Sequence, residues 1–264
     1  MHSTIKSITD KKARREKITV LTAYDYPTAR LLDEAGVDMV LVGDSVGMVV
    51  LGYESTVPVT MRDMIHHTRA VSRAVKRALV VADMPFGSYD TPERALRNAL
   101  RFMKEAGADA VKLEGGQKIE KQIARLIRAG VPVMGHLGMT PQTASQLGGY
   151  RVQGRNRKQA AHILKDALLL EKLGVFSLVL ECIPAALAQK VSRRLECPTI
   201  GIGAGPHTNG QVLVLHDMLG LESPVRPKFV RQYAQLGKTV RKAVESYIRD
   251  VRAGTFPSAK ESFQ

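Results

Sequence analysis

The sequence predicts an α/β fold, a closed (β/α)8 barrel, and three observations carry that prediction. Eight short segments rich in Val, Ile and Leu recur along the 264 residues, each nearly continuous in hydrophobicity, as strands covered on both faces are. Stretches of helical length separate most of them. One phrase also repeats: a helical run ends at Ala-Gly or Leu-Gly, a short apolar strand follows, and the strand finishes on a polar group. A doubly wound open sheet is the alternative, but no strand is followed by a well-placed dinucleotide fingerprint.

Taken in order, residues 3 to 16 are polar and basic with Ile5, Ile8 and Ala13 at helical spacing, which predicts a short extra helix packed outside the main fold. Ile18 to Asp25 reads as the first strand. Pro27 opens a helix to about Glu34, and Gly36 stops it where a left-handed residue is needed. The repeated phrase then supplies Met39 to Gly43 leading to Asp44 and Ser45, Ala110 to Glu114 with Lys112, Val131 to Gly135 leading to His136, and Leu178 to Leu180 leading to Glu181. Ala78 to Asp83 is a further strand that ends on a carboxylate, and 198–203 and 211–217 complete the eight. Helices are expected over 61–77, 92–106, 117–129, 158–173 and 184–195, with Thr60, Thr91 and Pro92 as caps or first-turn residues. A long helical periodicity runs from Lys228 to Val251. No linker or low-complexity tract interrupts the chain, so a single domain over 1–264 is expected.

Bulk properties narrow the function. No apolar run approaches the length that crosses a bilayer, and the N-terminal MHSTIKSITDKKARREK has no apolar signal core, so cytoplasm is the expected location. Two cysteines, Cys182 and Cys197, are too few for a disulfide framework or a metal knuckle. The formal charge of +14 leaves three readings open: nucleic acid, anionic small molecules, or a solvated basic surface. No RNA-binding aromatic motif or zinc-finger spacing occurs.

The chemistry concentrates at the carboxyl ends of the strands, where barrels of this kind carry their sites. Asp44, Ser45, Asp83, Lys112, Glu114, His136 and Glu181 all fall there. Strand alternation puts Lys112 and Glu114 on one side. Several carboxylates in one desolvated mouth need a cation, and oxygen donors without paired His or Cys point to a hard ion, Mg²⁺ before Zn²⁺. Lys112 is read as the charge that neutralises an anionic substrate, with a Schiff-base nucleophile as the alternative. His136 is a candidate substrate contact or a loop hydrogen-bonder. Glu181, flanked by Leu180 and Cys182, is the carboxylate left over for general-base work. Metal, base and lysine together are the kit for making an enolate. Gly201 to Gly205 admits two readings of equal weight, a backbone phosphate cradle and a tight turn.

Leu41-Val-Gly-Asp-Ser-Val-Gly-Met48, Ala82-Asp-Met-Pro-Phe86, Val111 to Gly116, Gly135-His-Leu-Gly-Met-Thr-Pro-Gln142, Gly148 to Gly154, Leu180 to Pro184 and Ile200 to Gly205 resemble the ketopantoate hydroxymethyltransferase family, in the same order over nearly the whole chain. The resemblance implies a (β/α)8 barrel in a homodecamer that begins pantothenate, and hence coenzyme A, biosynthesis. It implies transfer of the one-carbon unit of 5,10-methylenetetrahydrofolate to 3-methyl-2-oxobutanoate through a Mg²⁺-stabilised enolate. By motif, Asp44, Asp83 and Glu114 match the Mg²⁺ site, held partly through water; Ser45 and Lys112, with Asp44 and Asp83, match the keto-acid contacts; and Glu181 matches the proton acceptor. The chain departs from the family pattern at Asn209, where Asp is usual and which is expected in a loop near the rim. Two alternatives remain at this level: a Mg²⁺-dependent carbon–carbon lyase of the phosphoenolpyruvate mutase and isocitrate lyase type, and a basic nucleic-acid-binding module.

Overall fold

The computed structural model describes residues 2–147, 149, 151–221 and 227–263. Eight parallel strands close in sequence order, with β8 beside β1: β1 Ile18–Thr22, β2 Met39–Val42, β3 Leu79–Asp83, β4 Ala110–Glu114, β5 Val133–Gly138, β6 Ser177–Glu181, β7 Thr199–Ile202 and β8 Gly210–Leu213. This is the barrel that the sequence predicts. The helices are α1 Ile5–Ala13, α2 Tyr26–Ala35, α3 Val46–Val49, α4 Met61–Ala74, α5 Pro92–Ala106, α6 Glu120–Arg128, α7 Arg157–Leu173, α8 Ala185–Arg194, α9 Leu215–Leu219 and α10 Leu236–Arg252. Turns of 3-10 helix cover Gln117–Ile119 and Pro141–Leu147. The chain divides into two compact units, Met1–Val214 and Leu215–Gln264. In the second, the helix expected from Lys228 begins only at Leu236.

Local chemistry accounts for the boundaries. Asp25, Thr60, Thr91 and Asn156 each accept a hydrogen bond from a backbone N–H of the first turn they cap. The glycine of the repeated phrase ends α2, α5 and α7 in the left-handed region, at φ +87°, +74° and +101° for Gly36, Gly107 and Gly174. Each then releases the chain directly into the next strand.

The barrel interior is stratified by the two-residue period of its strands. At the amino-terminal end the inward positions are apolar: Ile18 and Val20, Met39 and Leu41, Leu79 and Val81, Ala110, Met134, Val179, Ile200 and Val212 form one buried cluster. Two residues further along the same faces come Asp83, Lys112, His136 and Glu181. Apolar layers therefore form a floor beneath a charged layer.

Two expectations are corrected. Helix α1 does not merely pack outside the fold. Ile8 is 1% exposed and belongs to the interior cluster, with Ile5 against it, so the helix closes the bottom of the barrel. Lys12 fastens it there by donating to the carbonyls of Ser192, Leu195 and Cys197 at 2.8, 2.7 and 3.0 Å. Asn209 is not at the rim. Its Oδ1 accepts from Thr199 N–H and Oγ1–H at 3.0 and 3.1 Å and its carbonyl from Ile18 N–H at 3.0 Å, so it lies where β1 and β7 begin. Residues 203–209 return the chain from β7 to β8 without a helix. Of the Gly148–Gly154 motif, Gly148 and Tyr150 lie outside the described residues.

Asp33 joins α2 to the start of β3 by accepting from the backbone N–H groups of Lys76, Arg77 and Ala78 at 2.8 to 2.9 Å. Burial works to raise its pKa, but these donors outweigh burial and hold it below the usual carboxylate range. A depressed folded-state pKa contributes stability that is complete above the unfolded value near 4 and is lost as pH falls through the folded one. Asp33→Ala should therefore cost roughly 2–3 kcal/mol in urea unfolding at pH 7, and the difference from the parent should shrink below about pH 4.

Candidate active site

Asp44, Asp83, Lys112, Glu114, His136 and Glu181 come together at the carboxyl end of the barrel, with Ser45 next to Asp44 in the chain. Asp83 pairs in register with Lys112, Glu114 with His136, and Glu181 with Gly138. Lys112 Nζ lies 3.2 Å from Asp83 Oδ1 and 3.2 Å from His136 Nδ1. His136 Nδ1 also faces Glu114 Oε1 at 3.5 Å, and its Nε2 faces Glu181 Oε2 at 3.1 Å. Asp44, just past β2, donates its backbone N–H to Asp83 Oδ2 at 3.1 Å. Ser45 exchanges a hydrogen bond of 2.8 Å with the phenol of Tyr24. Asp44, Asp83, Lys112, Glu114 and His136 are all buried, whereas the side chain of Glu181 keeps 13% of its exposure. Glu181 is thus the carboxylate on the solvent side.

Electrostatics follow from that burial. Burial, then the neighbouring Asp83 and Glu114, raises the pKa of Asp44 well above the usual carboxylate range. Burial also raises that of Asp83, with Lys112 opposing it. Burial works against the Lys112 ammonium, but Asp83, Glu114 and Asp44 more than offset it, and its pKa rises. For His136, burial and Lys112 disfavour charge, hydrogen bonds to Glu114 and Glu181 favour it, and the balance lies at about 9. An imidazolium and an ammonium 3.2 Å apart would have no acceptor between them. One of the two is therefore short of a proton at that contact. Against the direction of that pKa, the contact with Lys112, which Asp83 holds charged, favours a neutral His136, and Nε2 lies 3.1 Å from Glu181 Oε2 without a well-formed hydrogen bond. Burial, then the charge of Glu181, pushes the thiol of neighbouring Cys182 up to about 12, which disfavours its thiolate.

Among the described residues no three acidic, histidine or cysteine side chains close on one point as a ready metal cage. Lys112 and a glutamine stand between the acids instead. The donor chemistry nevertheless fits a hard cation. Asp83 Oδ1, 3.2 Å from the Lys112 ammonium, and Glu114 Oε1, 3.5 Å from His136, are buried without a well-formed hydrogen bond, so each can take a further partner.

That glutamine, Gln142, is the residue that sequence reasoning missed, together with Tyr89. Its amide donates to Asp44 Oδ2 at 2.8 Å and Met84 O at 2.9 Å and accepts from Tyr89 O–H at 2.5 Å; its backbone N–H donates to Glu114 Oε2 at 3.1 Å. The only signal was its place in the Gly135 to Gln142 phrase, six residues past His136. Gly138 makes the approach possible: at φ +100°, a Cβ there would stand 2.2 Å from the carbonyl of Glu181. The turn reading of Gly201 to Gly205 is favoured. Gly201 packs where a Cβ would meet Thr208 Oγ1 at 2.7 Å, and no helix lies between β7 and β8 to lend an anion its N-terminus.

A profile of the ketopantoate hydroxymethyltransferase family matches residues 2–259. Proteins called 3-methyl-2-oxobutanoate hydroxymethyltransferase are close relatives. That of Syntrophus aciditrophicus (strain SB) is 58% identical over 96% of this chain and 93% of its own. One from Thermus thermophilus is 54% identical over the full length of both. Among solved structures, phosphonopyruvate hydrolase with oxalate and Mg²⁺ aligns with a TM-score of 0.65 at 12% identity, over 98% of this chain and 93% of that one. A 2,3-dimethylmalate lyase of the PEP mutase/isocitrate lyase superfamily aligns at 0.62 and 16%, over 100% and 92%. At such identities these two establish the fold alone.

The raised pKa of Asp44 means that the folded chain holds its proton more tightly than the unfolded one, so ionisation costs stability as pH rises above about 4. Asp44→Asn keeps an acceptor for Gln142 and removes the charge. In metal-free protein at pH 8 it should melt a few degrees higher than the parent, with the gain fading toward pH 4.

Proposed function

The chain belongs to the ketopantoate hydroxymethyltransferase family, and on that premise we propose that it transfers a hydroxymethyl group from 5,10-methylenetetrahydrofolate to C3 of 3-methyl-2-oxobutanoate, giving 2-dehydropantoate at the first step of pantothenate biosynthesis. The observation that carries the reading is the charged layer itself. A buried ammonium, Lys112, lies beside buried acids, and one less buried carboxylate, Glu181, faces the same histidine.

In this reading Lys112 neutralises the carboxylate and keto oxygens of the substrate, and the Ser45 hydroxyl, oriented by Tyr24, hydrogen-bonds them. Asp44, Asp83 and Glu114 would hold Mg²⁺, which when bound supplies Lewis-acid polarisation of the keto group and charge to offset the enolate. Asp44 and Asp83 also border the keto acid. Glu181 takes the C3 proton, with His136 Nε2 beside it at 3.1 Å from Oε2. C3 then bonds to the folate's methylene carbon; water supplies the hydroxyl oxygen, and tetrahydrofolate leaves. We place the enzyme in the cytoplasm, as a homodecamer, by family resemblance. Two free thiols suit a reducing compartment, and no described helix is long and apolar enough to cross a membrane.

Exchange of the C3 proton of 3-methyl-2-oxobutanoate into D2O, followed by proton NMR without folate, tests the role of Glu181. Glu181→Gln should slow exchange by at least ~10²-fold while keto-acid affinity changes little. Exchange at the parent's rate would remove Glu181 from the base role.

A further inference from the structure

Each of the three buried acids has one oxygen held by a neutral N–H donor. Asp83 Oδ2 takes the backbone N–H of Asp44, whereas Asp44 Oδ2 and Glu114 Oε2 both take theirs from one residue, Gln142. Gln142 is only 4% exposed, and both ends of its amide are engaged. Both Nε2 hydrogens are used, on Asp44 and on Met84 O, and Oε1 accepts from Tyr89 O–H. Tyr89, 9% exposed, thereby fixes which way round the amide sits. A flipped amide would aim its oxygen at a carboxylate and a carbonyl.

We infer that Gln142, locked by Tyr89, is a positioning residue that sets Asp44 and Glu114 for a divalent cation by engaging one oxygen of each and leaving the other to the ion. The inference rests on the metal role proposed above for those acids. The geometry has a physical advantage over a cationic clamp. An amide orients a carboxylate without neutralising it, so the acids keep the negative charge that attracts the ion. The link also spans the site. Asp44 follows β2, Glu114 ends β4, and Gln142 comes from the 3-10 turn after β5, so three separate connections are tied by one side chain and its backbone. That turn is anchored at its start by Met139 N–H on the carbonyl of Glu181 at 2.9 Å. The supposed base and the supposed ligands thus share one support.

The test is direct binding of Mn²⁺, read by electron paramagnetic resonance of the free ion, with melting of the metal-free protein measured alongside. Gln142→Met preserves length and removes the amide; Tyr89→Phe preserves the ring and removes the lock. Gln142→Met should weaken Mn²⁺ binding about 10- to 100-fold, and Tyr89→Phe should weaken it by a smaller factor. A role confined to tying down the loop predicts a lower melting temperature with Mn²⁺ affinity unchanged. Both variants binding Mn²⁺ within twofold of the parent would therefore overturn the inference. If Gln142→Met does not fold, Tyr89→Phe carries the test by the same readout. A parent chain that binds no Mn²⁺ would instead overturn the metal reading, and this inference with it.

Discussion

Three carboxylates and one ammonium are buried together at one end of a barrel, and the rest of the structure is arranged around keeping them there. At an effective dielectric of ~20, two unit charges ~4 Å apart interact by about 4 kcal/mol, so the mutual repulsion of the acids is comparable to a large share of a domain's net stability. Lys112 offsets part of it. The hydrogen bonds from Asp44 N–H and Gln142 orient the acids without removing their charge. The remainder is borne by the apolar floor of the barrel, which Ile8 completes from below. The site is therefore built to be short of positive charge, a condition that a hard cation would relieve.

Much of this was legible in the sequence because the relevant signals are periodic. Alternation along β4 put Lys112 and Glu114 on one side, and the strand-end rule put Asp83 beside them. The glycine closing each repeated phrase proved to be a left-handed helix end at Gly36, Gly107 and Gly174. The recurring unit gave strand order, and strand order gave the rim on which the site sits.

What stayed illegible has no period. A nine-residue helix with isoleucines one turn apart reads the same whether it caps a barrel or lies against its side, so the place of Ile8 could not be read. Asn209 is expected near the rim, but the helix-free return over 203–209 brings it to the end of the barrel where β1 and β7 begin. Gln142 and Tyr89 lie outside the regular α-helices and strands. A buried polar residue in a loop leaves no pattern in composition or spacing, and its importance emerges only from which atoms it touches. The family resemblance covered the phrase containing Gln142 and still assigned it nothing.

Whether the gap between the acids is a cation site decides the chemistry. Crystals grown with Mn²⁺ and measured at a wavelength where manganese scatters anomalously would answer it. One strong peak among the carboxylates of Asp44, Asp83 and Glu114, with at least one of their oxygens at roughly 2.2 Å, is the predicted result. Density there without an anomalous signal, or manganese bound only elsewhere on the protein, would contradict it.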